Sequence, residues 1–291
     1  MTPIGSRSAR ELWRAAQHVE NWVAVSPTSS ISPSTDLSLL GNQVDVQLDE
    51  FVRDGYGRVR LHPIDAALAA RTCIEDVVAA GLPAVFAYVY DQTWTLLRPL
   101  LAHVTDRIGP CAPLDDGWAW HMPPGDGVGW PGHRGSYLPG SEGGAQQVVN
   151  TWLALTDVTE RHSTIALVPT SADPHFPDSL DCHPDEDLGR LVTAQTGEAI
   201  YWDARVFHWG SRGFADVNGP RISTSFTIAS DDFRPTARRI PPQLPGLDFR
   251  LQLIAGWVGT YAHLDNQISP PIVEWARLWQ TAGRVAGDPA S

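Results

Sequence analysis

The chain has 291 residues, 43% of them hydrophobic and 19% charged, enough apolar material for a sizeable core and too much for a disordered polymer. It carries 33 acidic residues against 21 basic ones, a net charge of −12, and every basic residue is arginine. That balance disfavours a nucleic-acid polymer as partner, and the missing lysine excludes Schiff-base chemistry, a pyridoxal enzyme and a P-loop. Anionic ligands must be held by arginine, histidine or backbone N–H, and the planar guanidinium fork suits carboxylates and phosphates. No run approaches the roughly 18–20 apolar residues of a membrane span. The first 17 residues lack the apolar segment of a secretory signal. A soluble, cytoplasmic protein with no membrane partner is expected. Cys73, Cys111 and Cys182 are odd in number and widely spaced, with no CxxC pair, and read as indifferent thiols.

In chain order, residues 26–38 are rich in Ser, Pro and Thr and read as a loop or mobile stretch. Residues 64–80 repeat apolar positions at helical spacing, with Gly81 as C-terminal cap. Residues 85–90 read as a short strand, and 93–108 as a second amphipathic helix ending at Gly109-Pro110. The middle changes character: 117–122, 147–155, 164–168, 199–207 and 222–229 are short β-rich runs between Gly, Pro and Asp loops. Helical patterning returns at 247–263 and 271–281. The expectation is one α+β domain over 1–291. Its β core covers about 84–233, an antiparallel sandwich or barrel, with helical flanks at about 61–110 and 246–281.

Ten histidines invite a search for metal ligands. His18, His62, His103 and His263 read as surface or packing residues, and His175 and His183 lie in a Pro/Asp-rich loop. His133 follows a strand in the run Gly129-Trp130-Pro131-Gly132-His133-Arg134-Gly135-Ser136. His208 closes the apolar run Tyr201-Trp202-Asp203-Ala204-Arg205-Val206-Phe207-His208, and Arg221-Ile222-Ser223 opens the next strand. Two imidazoles suit Fe(II) and leave positions open for a bidentate 2-oxo acid and O2. A buried Arg-x-Ser pair can fork the distal carboxylate of 2-oxoglutarate.

From about Trp118 to Phe233 the chain resembles the phytanoyl-CoA dioxygenase family of Fe(II)/2-oxoglutarate-dependent oxygenases. The matching pieces are the His133 run, Val149-Asn150-Thr151-Trp152-Leu153-Ala154-Leu155-Thr156-Asp157, Ile165-Ala166-Leu167-Val168-Pro169, and Phe207-His208-Trp209-Gly210 with Pro220-Arg221-Ile222-Ser223. The resemblance implies a double-stranded β-helix, or cupin-like jelly roll. It implies iron on His133 and His208, and 2-oxoglutarate on Arg221 with Ser223.

The family's motif is His-x-Asp, and here Gly135 stands where the aspartate would ligate. Three readings account for it. Chloride fills the vacancy, as in the halogenases similar to this family, which carry Gly or Ala there. Another carboxylate, Asp126 or Glu142, completes the triad of a hydroxylase. Or iron is lost and the jelly roll only binds a ligand. The retained Arg221 argues against the last, because a buried charge calls for a partner. The leading expectation is a halogenase that uses Fe(II), 2-oxoglutarate, O2 and chloride on an unactivated C–H bond of a freestanding small molecule.

Other residues carry weaker signals. Strand alternation puts Trp118, Trp120 and Met122 on one face and Ala119 and His121 on the other. His121 is a candidate contact to metal, 2-oxoglutarate or substrate, with core packing as the plainer reading. Trp152 shares a face with Asn150, and Trp202, Phe207 and Trp209 surround His208. Twelve tryptophans serve either barrel packing or a stacking wall for a planar substrate. Arg134 and Arg205 flank the proposed ligands, and Arg212 is a candidate phosphate or carboxylate dock. Stacking and arginine together favour a purine nucleotide. Glu198 reads as a turn former.

Overall fold

The computed structural model describes residues 4–37, 44–62, 64–125, 130–135, 147–233 and 238–286. The chain opens with helices α1 (Ala9–Ala16) and α2 (Val19–Val25), strands β1 (Ser34–Asp36) and β2 (Val44–Asp49), and a single turn α3 (Phe51–Asp54). Strand β3 (Tyr56–Leu61) and helices α4 (Asp65–Ala79), α5 (Asp91–Thr95) and α6 (Leu97–Ile108) follow. Then come β4 (Cys111–Met122), β5 (Val148–Ala154), β6 (Ile165–Leu167), β7 (Arg190–Leu191), β8 (Glu198–Asp203), β9 (His208–Gly210), β10 (Arg221–Ser230) and β11 (Gln243–Pro245). Helices α7 (Leu247–Tyr261) and α8 (Pro270–Ala286) close the chain. No helix among the described residues is long and apolar enough to cross a membrane.

Two antiparallel sheets carry the site. The larger runs β2-β3-β8-β5-β10-β4 and the smaller β7-β6-β9. β10 is the axis of the large sheet. It pairs with β4 on one side (Arg221 opposite Met122, Ser225 opposite Trp118) and β5 on the other (Ser225 opposite Trp152, Thr227 opposite Asn150). Between the sheets lies an apolar layer of Trp152, Ala154, Val158, Leu167, Ile200, Trp202 and Val206. The opposite face of the large sheet is covered by helices, in a core that includes Tyr88, Trp94, Phe226, Trp257 and Trp275. Tyr88 ties the two layers together, its hydroxyl within hydrogen-bond distance of the Trp118 and Ser225 carbonyls at 3.0 and 2.6 Å.

Helix α4 ends as its sequence suggests. Gly81 takes φ +79°, its N–H reaches the Val78 carbonyl, and the Leu82 N–H reaches Val77, which closes the helix on a left-handed residue. Elsewhere the structure corrects the pattern. Residues 84–89 form a 3-10 helix, not a strand. All six are buried, and a short apolar run cannot be assigned by pattern alone. Thr93 Oγ1 and Trp94 Nε1 take the carbonyls of Ala87 and Tyr88, which a sheet partner would otherwise need. The expected helix over 93–108 divides at Leu96. Pro99 has no N–H to give the Thr95 carbonyl, so α5 and α6 are separate. The run 199–207 breaks after Asp203, where Arg205 N–H donates to the Asp203 carboxylate and Val206 N–H to its carbonyl. That turn carries the chain from the large sheet to the small one and delivers His208.

The Ser/Pro-rich stretch is anchored. β1 pairs with β11, and Ser32 and Thr35 hydrogen-bond to Asp91. Asp91 in turn meets Arg250 of α7 at 2.7 Å, and that fully buried guanidinium also donates to Val89, Ser32 and Thr35. Burial works against the Asp91 carboxylate, but the Ser32 hydroxyl and the Arg250 charge outweigh it and hold it below the usual range. Arg250→Met is expected to lower the unfolding free energy by about 3–5 kcal/mol in a denaturant titration at pH 7. A lowered carboxylate stabilises the fold above about pH 4 and loses that contribution as pH falls through its folded-state value. The variant should therefore lose stability less steeply than the parent below that point.

Candidate active site

His133 and His208 face each other as one antiparallel bridge, with His133 N–H donating to the His208 carbonyl at 2.9 Å and the reverse bond at 3.0 Å. Their rings lie 4.2 Å apart, centre to centre. Each ring is oriented by its own loop. His133 Nδ1 donates to the Pro131 carbonyl at 2.8 Å, and His208 Nδ1 to the Val206 carbonyl at 3.0 Å. A carbonyl only accepts, so each Nδ1 carries a proton and each Nε2 is left for another ligand. Burial, reinforced by the neighbouring His133, pushes His208 down to about 3, so its ring is neutral at physiological pH. Two imidazoles with free Nε2 atoms fit a divalent transition-metal ion, and carbonyl partners on the other nitrogen are the usual support for such ligands.

Arg221 opens β10 on the same cavity. It is buried, and its Nη1 donates to Ser223 Oγ at 3.1 Å. Its Nε has no hydrogen-bond partner, and no carboxylate pairs with it among the described residues. Trp120 and Trp152 face it at 5.7 and 5.9 Å. Burial alone pushes this guanidinium down to about 9. An uncompensated buried cation with donors to spare is a built site for a carboxylate.

The cavity measures about 410 Å³. Trp118, Trp120, Trp130, Trp152, Trp202 and Trp209 line it, together with His133, Gly135, His208 and Arg221. Trp118, Trp152 and Trp209, expected as substrate or supporting contacts, line the cavity. His121 does not: it lies outside the lining, on the alternate face of β4, and burial lowers its pKa. Arg212 is exposed and also outside. Arg134 reaches the lining, but its guanidinium is committed. It donates to the Arg205 and Leu180 carbonyls and forms a buried pair with Asp173 at 2.7 Å. Glu198 does shape its turn by accepting from Gln195 N–H, and it also pairs with Arg58 and Arg60.

At Gly135, a Cβ would meet the Ala204 Cβ at 2.9 Å and the Ala204 carbonyl oxygen at 3.1 Å, while the Gly135 N–H already donates to that oxygen. Asp126 and Glu142 lie outside the described residues. Among the described ones, no three His, Cys, Asp or Glu side chains gather as a metal cluster.

Several lining residues carried no sequence signal: Asp116, Tyr261, and the loop after α7 with His263, Asp265 and Asn266. Asn150 also lines the cavity, and its run 149–157 states no role for it. Only the alternation of β4, which places 116 on the face of 118 and 120, could have pointed to Asp116.

No family model and no curated protein matches the chain. Among solved structures it is similar to the apo form of the non-haem monooxygenase ThoJ, with TM-score 0.53 and 18% identity over 72% of this chain and 98% of that one. The ThoJ nickel complex aligns at TM-score 0.54 and 18% identity, covering 75% and 98%. The non-haem α-ketoglutarate-dependent epimerase SnoN aligns at 0.48 and 21%, covering 64% and 81%. The fold is a cupin-like jelly roll. Its mixed α and β architecture, with helices flanking a sheet core, is the one expected above.

Burial of an unpaired charge has a measurable cost. Arg221→Met should raise the unfolding free energy of the ligand-free protein by about 1–4 kcal/mol. Glutarate should raise the melting temperature of the parent but not of the variant.

Proposed function

We propose that this protein is an Fe(II)/2-oxoglutarate-dependent oxidoreductase acting on a small molecule. The observation that carries the reading is the pairing, in one cavity, of two histidines with free Nε2 atoms and a buried arginine that lacks a counter-charge. His133 and His208 hold the metal. Arg221 and Ser223 receive the distal carboxylate of 2-oxoglutarate. A shared fold with a non-haem monooxygenase that was also solved with nickel supports the same reading. Iron and 2-oxoglutarate together supply O2 activation and the oxidising power to attack a C–H bond, with succinate and CO2 as co-products. The chain's own residues orient and exclude. The carbonyls of Pro131 and Val206 fix both ligand tautomers, and the tryptophan walls keep water from the reacting carbon.

The finer reading is halogenation. Gly135 offers no side-chain ligand, and no third protein ligand joins the two histidines among the described residues, so chloride takes the remaining anionic position. Hydroxylation is the second reading, and one contact favours it: Ala204 packs so closely on Gly135 that a glycine is required there whatever the chemistry. A purine nucleotide keeps its stacking wall but loses its phosphate dock, since Arg134 is spent on Asp173 and Arg212 stands outside the cavity.

An anaerobic titration tests the reading. Fe(II) with 2-oxoglutarate should produce a metal-to-ligand charge-transfer band, absent in His133→Ala and His208→Ala. No band in the parent disproves the metal and co-substrate assignment. Chloride or bromide should shift the band if halide is a ligand, and an indifferent band leaves hydroxylation. The double variant Gly135→Asp/Ala204→Gly relieves the contact at 135. It should keep the band and lose the halide shift.

A further inference from the structure

The cavity carries a carboxylate that the metal and co-substrate do not use. Asp116 lies on the inner face of β4 and lines the cavity, half-buried. Tyr261 Oη donates to its Oδ1 at 2.5 Å and Thr227 Oγ1 to its Oδ2 at 2.8 Å. No arginine or histidine pairs with it among the described residues. Its neighbour Asp115 is different: it pairs with Arg238, beside a second cavity of about 220 Å³ that meets the first at Asp116 and Tyr261. Of the two arginines of the main cavity, Arg134 is paired with Asp173, and Arg221 stands at the start of β10 opposite Met122, six residues along the strand from Thr227. A carboxylate with two donors still has accepting capacity left.

The wall leading to Asp116 is aromatic. Trp120 packs on Trp130 at 5.7 Å, Trp130 on Tyr261 at 5.5 Å, and Tyr261 on Trp118 at 5.5 Å, and all four rings line the cavity. Trp118 Nε1 donates to Asp265 at 3.3 Å, which places a second carboxylate on the same rim. Electron-rich ring faces that end on an uncompensated carboxylate form a recognition site for an organic cation.

We infer that the substrate is an aromatic or otherwise flat molecule bearing a protonated amine, with its ring against the Trp118–Tyr261–Trp130–Trp120 wall and its ammonium at Asp116. This inference rests on the proposed function for its reaction but not for its binding chemistry. Net-anionic substrates, nucleotides among them, are disfavoured by the same carboxylate. Asp116 also ties α7 to the sheet through Tyr261, but a tie alone confers no preference for ligand charge.

Three probes of one ring system test it: tryptamine, neutral 3-methylindole and indole-3-acetate. Each is titrated calorimetrically into the full chain, with and without Fe(II) and 2-oxoglutarate under anaerobic conditions. Tryptamine should bind about tenfold or more tighter than 3-methylindole, the size of one charge-assisted hydrogen bond, and indole-3-acetate weakest once 2-oxoglutarate occupies Arg221. Asp116→Asn keeps an acceptor for Tyr261 and should bring tryptamine to within about threefold of 3-methylindole, leaving the neutral probe unchanged. Tryptamine binding no tighter than 3-methylindole, absent binding of both included, overturns the inference. So does amine selectivity that survives in a folded Asp116→Asn. Should that variant fail to fold, the comparison of the three probes on the parent decides alone. The charge-transfer band separates the two levels: amine selectivity without a band sinks the proposed reaction only, and a band without amine selectivity sinks the substrate assignment only.

Discussion

The guanidinium of Arg221, held away from water without a counter-ion, is the constraint around which the site is organised. Isolated burial of a charge is expensive, and a sequence under no other demand would replace it with an apolar side chain. Here the sheet is arranged to tolerate it. Ser223, two residues on along the same face of β10, accepts one of its protons, and Trp120 and Trp152 offer their rings. These contacts orient the fork and leave its charge unneutralised. The ligand-free protein therefore holds a stored preference for an anion at one defined point of the cavity. The His133–His208 bridge is a second element of the same kind, because backbone bonds in both directions set the separation of the rings before anything binds.

Part of this was legible in the sequence where the signal was local. His133, His208 and Arg221 each sit in short runs that drew them as candidates, and the structure brings all three to one cavity, with Ser223 behind Arg221 as its hydrogen-bond acceptor. The alternation of β4 correctly separated Trp118 from His121, although His121 was still kept as a candidate. Illegible parts depended on partners distant in the chain. Arg134 looked available because nothing near it in sequence hints at Asp173. Tyr261 meets Asp116 across 145 positions, and no pattern in either segment announces the other. The strand expected over 85–90 is a 3-10 helix over 84–89 for a related reason: side chains buried on every face erase the periodicity that separates strand from helix.

Gly135 shows how one residue can answer to two demands. From the sequence it is a missing ligand. In the fold it is also the close-contact point between the His133 segment and the turn that delivers His208, with Ala204 against its Cα and its N–H on the Ala204 carbonyl. Either demand suffices to explain a glycine. The turn at 203–206 matters for both, because it carries Asp203, Arg205 and Val206 into bonds that fix His208.

The cavity is assembled from two kinds of element, sheet strands and a connection between helices. The proposed metal and co-substrate residues lie on sheet strands or in bonds with them, where any shift disturbs several neighbours. The rim at 263–266 belongs to a connection between α7 and α8, outside the sheets. Such connections accept changes of length and composition more readily than strands do. Chemistry and recognition are thereby partly uncoupled. A designer could rewrite the 263–266 connection and so retune which molecule is admitted, while the His133, His208 and Arg221 cluster beneath it stayed intact.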